Sequence, residues 1–185
     1  AMARIGRIQA VMTMSWDVLS TLTPVEYMAF RHVLGTSSGF QSAQFRELEF
    51  KLGLKDPRFL DYHKDVPEAA ARVKAALEGQ SLREASHAAL ERSGFDLGDR
   101  SDEAVSAAWL EVYRDADRWF DLYQLAEKLV DIDDALAGWR HKHVLTVERI
   151  IGNKPGTGGS AGAPYLRSTL EKRAFPELWS LRTSL

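Results

Sequence analysis

The chain has 185 residues, 45% hydrophobic and 27% charged, with 24 Lys and Arg against 26 Asp and Glu and a net charge of −2. That balance suits one globular domain and excludes the basic footprint of a nucleic-acid binder. No apolar run is long enough to span a bilayer and no secretory leader opens the sequence, so a cytoplasmic location is expected. There is no cysteine, which removes disulfides, metal–thiolate centres and cysteine nucleophiles. A metal would fall to His, carboxylate, Tyr or Met, and the histidines are five: His32, His63, His87, His141 and His143.

The pattern is helical nearly throughout. A first helix is predicted over about 5–19, where Ile8, Val11, Met12, Trp16 and Leu19 recur at helical spacing. Thr23-Pro24-Val25-Glu26 reads as a capped helix start, with Pro24 in the first turn and Glu26 at the capping-box position. That helix should stop near Leu34, before Gly35. A polar loop over 35–39 leads to a helix over 41–52, ended by Gly53. Residues 55–67 are irregular, with Pro57 and Pro67 as breakers. Helices over 68–78 and Leu82–Arg92 follow, then a Gly/Asp-rich loop over 93–100. From 101 to 151 the pattern barely pauses. Gly138 is its only visible weak point, so two helices or one long kinked helix are expected. A glycine-rich loop over 152–162, a helix over 165–173 and a short tail containing Trp179 complete the chain. With no convincing strand, the class is all-α: a helical bundle with long helices, read as a single domain over 1–185.

One stripe of the long helical span runs Leu125, Leu129, Ile132, Leu136, Trp139, His143, Val147, Ile150, all in steps of three or four. His143 lies well inside it. Spacing leaves two readings open: a core histidine satisfied by backbone or carboxylate, or a neutral imidazole that ligates a metal. His141 points about 200° round the helix, on a more polar face, and is expected to be solvated. Glu127, Asp131, Asp133 and Asp134 cluster upstream and read as a solvated face, with at most one carboxylate supporting the histidine. A di-iron bundle would need two Glu-x-x-His pairs, and the chain offers one, Glu84 with His87.

Tyr27 and Arg31 are neighbours four residues apart on a helix flank shared with Phe30 and Leu34. Arg31 is either an internal or snorkelling arginine, or a bidentate grip for a ligand carboxylate with aromatic rings packing the ligand. Ser37 and Ser38 could bond a ligand or cap the next helix. The loop over 152–162 fails as a phosphate loop, because no Gly-Lys-Ser/Thr follows and no strand precedes. It is a flexible connector or a loop that places Thr157 against a ligand.

Three stretches, taken together, resemble tryptophan 2,3-dioxygenases. One runs from Phe30-Arg31 through Ser38-Gly39-Phe40-Gln41-Ser42 to Gln44-Phe45-Arg46 and Glu49. The second is Trp139-Arg140 with His143 and Val147 to Gly152, and the third is Lys154 to Gly162; Phe175-Pro176-Glu177-Leu178 also fits. The resemblance implies a haem b enzyme that inserts both atoms of O2 across the indole C2–C3 bond of L-tryptophan, giving N-formylkynurenine. By the same resemblance His143 is the proximal iron ligand and Arg31 binds the substrate carboxylate. Tyr27 lines the indole pocket and Thr157 contacts the ammonium or carboxylate. Ser38 lies near the haem edge, and Trp16 corresponds to a tryptophan near the haem. A homo-tetramer is implied.

Two departures stand out. The region that supplies the family's distal histidine, before the equivalent of Arg4, is not in this sequence, so no catalytic residue is assigned and weak activity of the stretch alone is expected. The loop reads Gly-Ser-Ala-Gly at 159–162 where the family usually has Gly-Ser-Ser-Gly. Two alternatives follow: a related haem monooxygenase of a substituted tryptophan or indole, separable by product analysis, and a non-catalytic helical domain, separable by its lack of a Soret band.

Overall fold

The structure is a computed structural model and describes residues 17, 21–34, 43–155 and 161–185, without the side chains of 30–34, 43, 44 and 62. The first predicted helix therefore lies outside the described residues except for Asp17, which is helical. The described elements are α1 (Pro24–Leu34), α2 (Ala43–Leu52), a 3₁₀ segment Pro57–His63, α3 (Pro67–Glu78), α4 (Leu82–Arg92), α5 (Asp102–Arg114), α6 (Phe120–Ile151), α7 (Ala163–Arg167), α8 (Pro176–Ser180) and a closing 3₁₀ turn Leu181–Thr183. No strand occurs among the described residues, as the all-α reading requires.

Local chemistry explains most boundaries. Thr23 and Glu26 form the expected capping box: the Thr23 amide donates to the Glu26 carboxylate at 2.8 Å, and the Glu26 amide to the Thr23 hydroxyl at 3.3 Å. Ser81 and Glu84 repeat the device at α4. Gly53 ends α2 with φ +126°, a conformation that favours glycine. The expected weak point at Gly138 does not break anything: α6 runs through it for 32 residues. The break falls instead at 115–119. Asp115 leaves the helix at φ −130°, ψ 60°, and its carboxylate accepts from the Arg118 amide at 3.4 Å, an alternative to helical pairing that short acidic side chains offer. The predicted helix over 165–173 is shorter, Ala163–Arg167, and the predicted tail contains α8.

The chain divides into two compact units, one of residues 1–40 and 134–172, the other of residues 41–133 and 173–185. In the second, α2 packs on α3 and α4, and α5 packs on α8 and the closing turn. Phe50, Val73 and Ala76 form one core cluster with Phe59, Leu60, Ala69 and Leu77 against it; Val105, Trp109 and Val112 of α5 are fully buried. Within this unit Asp133 corrects the solvated-face reading of the acidic cluster. It is 0% exposed and accepts from the Ala174 amide at 3.0 Å, the Phe175 amide at 3.2 Å and the Trp179 indole N–H at 3.0 Å. Buried Glu177 bonds Arg83 and His87. Burial alone would raise the Glu177 pKa, but the bonds from His87 and Arg83 hold it below the usual carboxylate range. The segment read as a tail is thus tied into the second unit by two buried carboxylates.

Candidate functional site

The candidate site lies in the first unit, on the second half of α6. His143 is partly buried there, one turn after Trp139, with ring centroids 5.1 Å apart. Leu136 and Ile150, before and after it on the predicted stripe, are buried. Removal of the imidazole from water pushes its pKa down to about 4, because desolvation penalises the charged form. His143 is therefore neutral at pH 7, the form in which an imidazole ligates a metal. His141 is exposed, as its polar face predicted, and its Nδ1 lies 2.9 Å from the Ala137 carbonyl oxygen.

Charged contacts bind the flanks of the same helix segment. Arg140, 3% exposed, donates from Nη1 to the Lys172 carbonyl at 2.6 Å. Glu148 pairs with Arg167 of α7 at 2.6 Å. Lys142 pairs with Asp17 at 3.5 Å, between exposed side chains. At about 100° per residue, Arg140 and Glu148 project roughly 60° and 140° to one side of His143, and Lys142 about 100° to the other. The imidazole faces the sector between the two tethered flanks. In the sequence Arg140 stands out only as part of a motif, and Glu148 and Arg167 do not stand out. Their signal, opposite charges on either side of a loop, is too common to single out.

Of the other predicted site residues, Tyr27 and Arg31 lie on α1, in the same unit as His143. Tyr27 is partly buried and its amide donates to the Thr23 carbonyl at 3.0 Å. Arg31 is placed by its helical backbone; its side chain, and Trp16, Ser38 and Thr157 altogether, lie outside the described residues. The Glu84–His87 pair is spent on structure: Glu84 bonds Ser81 and Lys55, and His87 faces Glu177. No group of three or more His, Asp or Glu among the described residues is placed to hold a metal ion. A single neutral histidine beside an indole and aliphatic side chains suits a flat, apolar metallocycle bound through one axial nitrogen. No helix among the described residues is long and apolar enough to cross a membrane.

Comparison with known proteins agrees with the sequence resemblance. The family model described as tryptophan 2,3-dioxygenase matches residues 1–98 and 81–185. A protein of that name from Caulobacter vibrioides is 60% identical over 196 residues, spanning 100% of this chain and 74% of the relative. One from Bacillus cereus is 50% identical across 100% of this chain and 70% of its own length. One from Burkholderia ambifaria is 49% identical across 100% of this chain and 63% of its own length. With the family model matched from end to end and 60% identity over the whole chain, this protein belongs to the tryptophan 2,3-dioxygenase family.

Proposed function

We propose that this chain is a haem-dependent dioxygenase that adds O2 across the indole C2–C3 bond of L-tryptophan, giving N-formylkynurenine. The observation that carries the reading is the 60% identity, over all of this chain, to a relative named tryptophan 2,3-dioxygenase. The neutral, desolvated imidazole of His143 supports it. Residues 1–185 act as one haem-binding domain, with His143 as proximal ligand. When bound, haem b supplies the iron at which O2 is activated. The chain's own residues then bind and orient. His143 stays neutral and keeps its lone pair, because burial disfavours the imidazolium. Trp139 and the aliphatic stripe keep water from that face. Arg31 holds the substrate carboxylate through charge-assisted bonds, Tyr27 packs the indole and Thr157 contacts the amino-acid end. Trp16 and Ser38 line the haem edge. The assembly is a cytoplasmic homo-tetramer.

The test is a spectrum and a product. Haem added to the purified chain should give one Soret band per chain, shifted by L-tryptophan and lost in His143→Ala. Under ¹⁸O₂ the product should gain two labelled oxygens. Gain of one oxygen with an intact pyrrole ring, or no Soret band after haem addition, would refute the reading.

A further inference from the structure

We propose that Arg140 and Glu148 are positioning residues: a two-point clasp that holds the segment following the glycine-rich loop antiparallel against α6 and so fixes the rotation of His143 about the helix axis. The inference rests on His143 being the iron ligand. Three observations carry it. Arg140 grips the Lys172 carbonyl and Glu148 grips Arg167, so the higher α6 position meets the lower position of the returning segment, which is the antiparallel order. The two grips bracket His143 in sequence, three residues before and five after. Both engage one side of the helix, about 60° and 140° round from His143.

The physical need is a lever arm. The ligating nitrogen of a histidine lies about 7 Å from the helix axis, so a 10° roll of the helix moves it by roughly 1 Å. Axial ligation tolerates about half that displacement. An apolar stripe resists rolling weakly, because aliphatic contacts slide. A buried guanidinium on a carbonyl and an ion pair two turns further on are directional, and each loses its bond when the helix turns. Arg140 is the stronger anchor, since its 3% exposure leaves it no water to replace the lost acceptor. Glu148–Arg167 is the more exposed partner and sets the second point.

The experiment uses the haem-loaded chain and reads the iron–histidine stretching frequency of the ferrous form by resonance Raman, with the rate of haem transfer to apomyoglobin. Arg140→Met should shift the frequency and release haem about tenfold faster, with Arg140→Lys intermediate. Glu148→Arg and Arg167→Glu should each speed release, about threefold, and the double swap should restore both readouts. Unaltered frequency and release in Arg140→Met, or a double swap no better than its parents, would overturn the clasp. If Arg140→Met fails to fold, the swap series decides. An unaltered chain that shows no iron–histidine band overturns the parent reading, and the clasp with it.

Discussion

At the scale of the residue, Asp133 and His143 each carry a testable consequence of their burial. Asp133 is fully buried yet accepts bonds from two amides and an indole. Asp133→Asn removes the charge and points an amide donor at donors, and should cost about 3 kcal/mol in denaturant unfolding. Burial lowers the folded pKa of His143 to about 4, below the unfolded value of 6.5. Between those values the unfolded chain binds more protons, so stability falls as pH drops from about 6.5 towards 4 and levels off below that. In the haem-free chain, His143→Gln should flatten that part of the pH–stability curve relative to the parent. An unchanged slope would place the imidazole in water. His63 in the second unit has the same sign, with burial, aided by the charge of Arg46, lowering its pKa.

At the scale of the element, glycines separate by the space around them. A Cβ at Gly138 of α6 would meet nothing within 4 Å, so Gly138→Ala should stabilise the protein by about 0.5–1 kcal/mol. Gly53 has φ +126°, and its Cβ would fall 2.9 Å from that of Arg83; Gly53→Ala should therefore destabilise. Thermal midpoints of the two variants should move in opposite directions. The same contrast shows what was legible in the sequence. Capping chemistry is local, so the starts at Thr23 and Ser81 and the stop at Gly53 could be read. The break after Arg114 could not be placed, because Asp115 competes for a backbone amide without disturbing the apolar period. The helix at Pro176 was taken for a tail, since five residues carry too little periodicity and its burial comes from Asp133, Arg83 and His87 elsewhere in the chain. His143 stands out by spacing, but spacing cannot separate a core histidine from a ligand; only the resemblance to the family favours the ligand. Asp133 was misjudged because an acidic cluster reads as surface until its donors, over forty residues on, are in place.

At the scale of the whole molecule, burial among the described residues is uneven between the two units. The second unit holds the fully buried side chains Trp109, Phe50, Phe175, Leu90, Leu129 and Leu178. Native-state hydrogen exchange should find its slowest amides in α5 and in α6 before Asp133, with α1 exchanging sooner. Slower exchange in α1 than in α5 would show that the core sits elsewhere.

The bond between Asp133 and the residues around Phe175 also has a consequence in time. During translation Asp133 leaves the ribosome 41 residues ahead of Ala174. At about 5–20 residues per second it waits roughly 2–8 seconds before the amides that neutralise it exist. Throughout that interval the Asp133 carboxylate keeps its water, because burying it before its donors arrive would leave a charge without hydrogen bonds. Closure of this half therefore waits on residues 174–179, which supply the donors to Asp133.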